Sequence, residues 1–296
     1  MSDRAWVWRA LACPRCHGRL VPAQNLVRCE RCGPYPLLGE VAVLVPDPAG
    51  WCATFYDAIL STLAEYGAAS REAVHVVQAF AQGSHEPARF GDDWTEFERR
   101  GEAPPAPVKG PAHATLLSLE ALARTDGPAA FVERHVPSCE LAVEVGCGAG
   151  HRSELLSQRA RHLVVGDWSL RAVMQGQVRA NRALSAVAPV VMDAAALPLV
   201  SGAADLLVAE NVVDLLDEPL AFLEGVRRAL KKKGRALVTT PDPSLGSGDD
   251  AALASLVARA RLKLVERVDG LPWLRTNSPR HLEAYLVQAL AMRRQA

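Results

Sequence analysis

The sequence predicts an α/β protein: a seven-stranded, mostly parallel sheet with helices on both faces, joined to a small N-terminal four-cysteine ribbon. Three observations predict it. Helical and strand patterns alternate from Pro111 to the C-terminus, and such alternation gives parallel strands covered by helices. A glycine-rich turn, Val143-Glu144-Val145-Gly146-Cys147-Gly148-Ala149-Gly150, sits between one strand and one helix. Two CxxC pairs, Cys13/Cys16 and Cys29/Cys32, fall within the first 33 residues.

The elements follow in order. Residues 1–50 form the ribbon, with short strands at Arg19–Val21 and Asn25–Arg28 around the cysteines. The β-branched alternation of Tyr35–Val45 predicts one closing strand, stopped by Pro46 and Pro48. Residues 51–110 form a helical linker and lid. Trp51, Phe55, Ile59 and Leu63 recur at i, i+4, and Val74, Val77 and Phe80 share a second helical face. Pro104, Pro105, Pro107 and Pro111 disfavour regular structure after it.

Residues 111–296 form the main domain. Helices are predicted at His113–Arg124 and Pro128–His135, then strand Glu140–Val145, a helix from His151 to Arg161, and strand His162–Gly166. Helix Leu170–Leu184, strand Ala188–Met192, strand Asp205–Ala209, helix Glu218–Leu230 and strand Arg235–Thr240 follow. Helix Asp250–Arg261 and strands Lys263–Val268 and Ala284–Met292 complete it.

The 296 residues suffice for one large unit and one small one. Lys and Arg total 33 and so do Asp and Glu, so no global field draws the chain toward nucleic acid or membrane. The charge is uneven, however. Residues 1–33 hold six arginines against Asp3 and Glu30, which serves either as a binding face or simply to solvate a module with little core. No stretch reaches the ~18 apolar residues of a membrane span, and the N-terminus has no signal-peptide pattern. The expected location is cytoplasmic. Of seven cysteines, four fall in a metal pattern. Cys52, Cys139 and Cys147 read as small packing residues.

Two CxxC pairs twelve residues apart can set four thiolates around one zinc ion. Four thiolates leave no open position, so the expected zinc is structural. A module this small draws folding energy from such a metal. The rival reading, a redox dithiol, lacks a thioredoxin-like context. The segments LACPRCHGRL, CERC and YPLLGEVAVLVPD resemble the zinc-binding activator subunit of tRNA, rRNA and release-factor methyltransferases, over about residues 10–46. Val41-Ala42-Val43-Leu44 departs from the proline usual there.

The glycines at Gly146, Gly148 and Gly150 allow a tight turn and close backbone approach to a ligand. A dinucleotide fingerprint would place a further glycine where His151 stands. The next strands end in Val165-Gly166-Asp167 and Met192-Asp193-Ala194, where acids can meet ribose hydroxyls and an adenine amino group. Together with Ala204-Asp205-Leu206-Leu207-Val208 and Leu230-Lys231-Lys232-Lys233-Gly234-Arg235, these segments resemble the Rossmann-like class I S-adenosylmethionine-dependent methyltransferases, over residues 138–242.

The resemblance implies S-adenosylmethionine as cofactor. It implies that Glu144, Gly146, Cys147, Gly148 and Gly150 hold the methionine end, and that Asp167 binds ribose with Trp168 beside the adenine. It further implies that Asp193 and Ala194 read the adenine and that Glu210 lies near the sulfonium. Residue by residue, other readings stand: Asp167 can cap the following helix and Asp193 can simply end a strand. The lysine run reads as a solvated helix C-terminus.

No Asn/Asp-Pro-Pro-Tyr follows the fourth strand; the segment is Ala209-Glu210-Asn211-Val212-Val213-Asp214. Methylation of exocyclic adenine nitrogens or glutamine amides is therefore not expected. Asp214-Leu215 stands where the family often has Glu-His. Asn211 and Asp214 remain candidates for substrate contact, Asp214 also reading as a helix-start residue. Phe90-Gly91-Asp92-Asp93-Trp94-Thr95-Glu96-Phe97 resembles a signature ahead of the core in methyltransferases of natural-product and glycan pathways. Trp94 and Phe97 would then close over the cofactor or wall the substrate, or else anchor a linker.

The expected reaction is methyl transfer to an oxygen or nitrogen of a small metabolite. An rRNA or tRNA methyltransferase docking RNA through the ribbon, and a partner-dependent enzyme or scaffold, are the alternatives. No motif encodes the acceptor atom or the oligomeric state.

Overall fold

Eleven strands hydrogen-bond into one sheet among the described residues. The structure is a computed structural model, and it describes residues 4–81, 113–181, 186–249, 251–278 and 281–295. The expected lid segment Phe90–Phe97, with Trp94, lies outside them.

Six neighbouring strands run parallel: β4 (Val41–Leu44), β7 (Ala186–Met192), β6 (Ala160–Asp167), β5 (Cys139–Val145), β8 (Ala204–Glu210) and β9 (Leu230–Thr240). β11 (His281–Arg294) and β10 (Leu262–Ser278) add antiparallel strands at one side. Their near-continuous Val, Leu and Ala runs suit strands buried on both faces, and Val143, Val164, Val165, Leu207 and Val238 are fully inaccessible.

The expected seven strands are therefore corrected to eleven. The four extra strands belong to the ribbon: β1 (Leu20–Pro22), β2 (Leu26–Cys29), β3 (Gly33–Leu38) and β4. They join the sheet because β4 pairs parallel with β7, Ala42 against Val190 and Leu44 against Met192. The closing strand expected over Tyr35–Val45 is two strands. Gly39 turns between them at φ +63°, and Leu37 pairs with Ala42, Leu38 with Val41.

Helices cover both faces. On one, α1 (Ala5–Ala10), α9 (Pro219–Ala229) and α10 (Ala252–Arg259) pack against Val143, Val164, Val190 and Val238. On the other, α6 (Pro128–His135) and α7 (His151–Arg159) pack on Ala142, Leu163, Val165 and Leu206. α5 (His113–Asp126) precedes α6. A third apolar cluster joins α2 (Pro48–Thr54), α3 (Tyr56–Glu65) and α4 (Arg71–Ala81) to α8 (Leu170–Ala180) and to Val41 and Val43 of β4. Each buried Leu, Ile or Phe there contributes about 1.5–3 kcal/mol relative to exposure.

The helix expected over Leu170–Leu184 ends at Ala180 among described residues, with Asn181 as its C-cap. The lysine run lies at the start of β9, not at a helix end. Lys231 meets Asp205 at 2.8 Å. No helix among the described residues is long and apolar enough to cross a membrane.

Candidate functional site

The strand order reverses around β5: β6 and β7 lie to one side of it, β8 and β9 to the other. Such a switch point opens a crevice at the carboxyl ends of the strands. Every predicted cofactor residue sits on that edge.

The glycine turn leaves β5 and feeds α7. Gly146, Gly148 and Gly150 have φ of +71°, +49° and +76°, a backbone that disfavours side chains. At Gly150 space is also short, since a Cβ would stand 2.6 Å from the Cα of Gly176. Gly176 in turn faces Val165, Ser153 and the Cys147 sulfur, so two glycines let α7, α8 and the turn close together. Gly166 O accepts from the N–H of Gly146 at 2.8 Å and of Cys147 at 3.0 Å. Cys147 is buried against Ala172 O.

The acids differ in environment. Glu144 is 4% exposed and accepts from the Ser153 hydroxyl at 2.5 Å. Burial pushes its carboxyl up to about 8, against the opposing pull of Ser153. Asp167 ends β6 and braces the turn, its oxygens accepting from Gly148 N and Ser169 N, each at 2.9 Å. Burial raises its carboxyl and those N–H groups lower it. Asp167 does not cap α8; Ser169 does, accepting from Ala172 N. Asp193 ends β7 and accepts from Ala195 N at 2.8 Å, capping the 3-10 turn Ala194–Ala196. Each carboxylate oxygen carries two lone pairs, so both acids keep acceptor capacity beyond these backbone contacts.

Glu210 ends β8 in an ion pair with Arg152 of α7, 2.5 Å from Nε to Oε1. Burial raises its carboxyl while Arg152 holds it down. Arg152 has no counterpart in the sequence reading. Its signal would have been a helical arginine two residues past the last glycine, which spacing alone cannot tie to β8.

Beyond β8, Asn211 takes a left-handed backbone, φ +56°, and its Oδ1 accepts from Thr239 Oγ1 at 3.0 Å. Asp214 lies in the 3-10 turn Val213–Leu215, ahead of α9. Its Oδ1 accepts from Thr240 Oγ1 at 2.7 Å. Burial raises Asp214, with Thr240 opposing. The two candidates are thus held by consecutive threonines at the end of β9.

The four cysteine sulfurs lie within 4.8 Å of one another. His17 turns the first knuckle at φ +54°, with its N–H on Cys13 O at 2.8 Å and Cys13 N–H on Gly18 O at 3.0 Å. The Tyr35 hydroxyl stands 3.1 Å from the Cys13 sulfur. A Cβ at Gly18 would crowd the Cys16 sulfur at 3.2 Å. The thiols titrate unequally: the Gly18 N–H draws Cys16 down to about 6, while Cys16 pushes Cys32 up to about 12. The spacing suits zinc, whose ~2.3 Å bonds to sulfur put tetrahedral ligands about 3.8 Å apart. By donor set and spacing, the cysteines fit that ion.

The ribbon is also tied to the Asp193 side of the edge. Ala12 N donates to Pro198 O at 2.9 Å and Val200 N to Ala10 O at 2.8 Å, and Leu11 bridges Leu199. Arg228 of α9 donates to Leu197 O at 2.7 Å and to Leu199 O. These bonds hold the loop that follows Asp193.

Residues 143–238 match the family model described as "Methyltransferase domain". A Mycobacterium tuberculosis protein named "Probable S-adenosylmethionine-dependent methyltransferase", from strains CDC 1551 and H37Rv, is 28% identical over 153 residues, covering 48% of this chain and 54% of its own length. The chain thus spans about half the length of the curated relatives it matches. Among solved structures, the N-methyltransferase NodS from Bradyrhizobium japonicum WM9 with S-adenosylhomocysteine aligns at TM-score 0.44 and 17% identity, covering 70% of this chain and 100% of that one. A complex of the Haloferax volcanii Trm112 methyltransferase activator with a methyltransferase aligns at TM-score 0.46 and 15% identity, covering 62% and 97%. The similarity is thus to a methyltransferase domain, over residues 143–238.

Proposed function

We propose that this protein transfers a methyl group from S-adenosylmethionine to an oxygen or nitrogen of a small-molecule metabolite, with a structural zinc ribbon in the same chain. One observation carries the reading: at the switch point, three positive-φ glycines and the acids Glu144, Asp167 and Asp193 stand together on one sheet edge. The turn approaches a ligand by backbone, Asp167 offers oxygens to ribose hydroxyls, and Asp193 offers one to an amino group. Bound there, the cofactor supplies a methyl carried on a positively charged sulfur.

The chain's own work is alignment and exclusion of water. Glu210, neutralised by Arg152, places a compensated charge beside the reacting centre. Asn211 and Asp214 face the acceptor side. Burial raises the Asp214 carboxyl, which makes it a better proton acceptor for a hydroxyl or amine that sheds a proton on methylation. A polyanion is disfavoured here, since Glu210 and Asp214 share this edge and formal net charge is zero.

RNA methylation is the second reading. Arg9, Arg15, Arg19, Arg28 and Arg31 of the ribbon are exposed and could meet phosphates. Labelled S-adenosylmethionine incubated with fractionated cell extract separates the readings. Label in small molecules supports the first, and label in RNA overturns it in favour of the second. Undetectable cofactor binding by calorimetry would remove both.

A further inference from the structure

We propose that Phe55, at the corner between α2 and α3, is a cofactor-positioning residue that sets Trp168 as the wall of an adenine site. The inference rests on the S-adenosylmethionine reading and adds a residue group outside the domain that carries it.

The topology brings this corner to the site. β4, β7 and β6 are adjacent and parallel, with Leu44 level with Met192 and Asp167 level with Val191. The chain leaving β4 therefore emerges beside Asp193 and Trp168. There Asp47 caps α2, its side chain accepting from Gly50 N at 3.0 Å with Pro48 in the first turn.

Phe55 ends α2 and starts α3, with non-helical φ −105° and ψ 20°. Its backbone is pinned on both sides: its N–H donates to Trp51 O at 3.0 Å and its carbonyl accepts from Ile59 N at 2.8 Å. The ring meets Trp168 edge-on, centroids 6.3 Å apart and planes at 79°. Trp51 lies 5.8 Å from Phe55 and donates its indole N–H to Trp168 O at 3.2 Å. Arg171 and Glu65 pair at 2.6 Å, which ties α3 to the first turn of α8. The corner therefore cannot shift without moving the Asp167-Trp168-Ser169 segment.

Trp168 itself is 39% exposed. A tryptophan held through its backbone carbonyl, with its indole packed edge-on by a neighbour, offers the remaining ring surface to a flat apolar ligand. Asp167 and Asp193 flank that surface with acceptors, and neither carboxylate matches an anion. The ligand class is a neutral purine bearing a ribose.

The test is titration of full-length Phe55→Leu and Phe55→Tyr with S-adenosylhomocysteine and, separately, with adenosine, followed by tryptophan fluorescence and calorimetry. Phe55→Leu should weaken both ligands about tenfold, and Phe55→Tyr, which keeps the ring, should bind within about twofold of the wild type. The ligand-induced fluorescence change should vanish in Trp168→Phe. Unchanged affinity and an unchanged fluorescence response in a folded Phe55→Leu would overturn the inference, even if that variant melts earlier. If Phe55→Leu does not fold, retention of the fluorescence change in Trp168→Phe overturns it. Asp167→Asn separates the two failures. If wild type binds neither ligand, the cofactor reading itself fails; if wild type binds and Asp167→Asn does not, an unaffected Phe55→Leu sinks only the role of Phe55.

Discussion

The ribbon and the glycine-turn edge solve opposite problems. In the ribbon, four thiols within 4.8 Å of one another are supplied by two short, sequence-local knuckles, a set whose charge a bound cation would balance. At the turn edge, the acids come from strands dozens of residues apart, and the apolar core balances them. Glu144 stays protonated through burial, and Glu210 is neutralised by Arg152. On the proposed zinc reading, the small module would draw from an ion what the large one obtains from packing.

The contrast can be broken hardest in the ribbon. Cys29→Ser should abolish stoichiometric zinc and remove more than about 4 kcal/mol of stability, the worth of a ligand present at a thousand times its Kd. Metal analysis and chemical denaturation check this. Loss should extend to S-adenosylhomocysteine affinity, because Ala10, Leu11 and Ala12 hold the loop after Asp193. A Cys29→Ser protein with full affinity would separate the two regions completely.

The turn edge should fail through space rather than charge. Gly150→Ala places a Cβ against Gly176 at φ +76°, combining left-handed strain with overpacking for about 2–4 kcal/mol. Thermal melting should show it, with zinc content unchanged. Asp167→Asn should be gentler: about 10- to 100-fold in S-adenosylhomocysteine affinity, the scale of a charge-assisted hydrogen bond worth ~1.5–3 kcal/mol, read by calorimetry.

A last effect sharpens the comparison by pH. Glu144 holds a proton in the folded chain up to about 8, against an ordinary 4.5. Between those values the folded state binds more protons than the unfolded one, so stability falls as pH rises through that window. Glu144→Gln keeps the neutral form throughout. Its denaturation midpoint should lose part of this slope between pH 5 and 8, so wild type and variant diverge most at pH 8.

What was legible in the sequence was local. Cysteine spacing, positive-φ glycines and strand-ending acids lie within runs of a few residues. The strand-helix alternation placed β5 through β9 within a few residues of their observed bounds, apart from the early start of β9 at Leu230. What escaped was pairing across distance. Nothing in the run Val41–Leu44 names Val190–Met192 as its neighbour, and nothing at Arg152 names Glu210.

Two local signals were also outweighed by tertiary context. Gly39 makes a hairpin where alternation suggested a continuous strand. The strand expected over Lys263–Val268 runs on past Gly270 and Pro272 to Ser278, with a register shift between Val268 and Leu271. Proline is tolerated there because β10 is the outermost strand.

The β4–β7 pairing has a consequence for synthesis. β4 precedes β7 by roughly 150 residues, so at about 5–20 residues per second it waits about 7–30 s after translation for its partner. Throughout that interval an apolar strand, Val-Ala-Val-Leu, has one open side. The knuckles preceding it are complete as soon as Cys32 emerges, so the proposed zinc could seat while the rest of the chain is still being made. Newly made chains starved of zinc should therefore suffer their losses on the ribosome, before any enzyme exists to be inactivated.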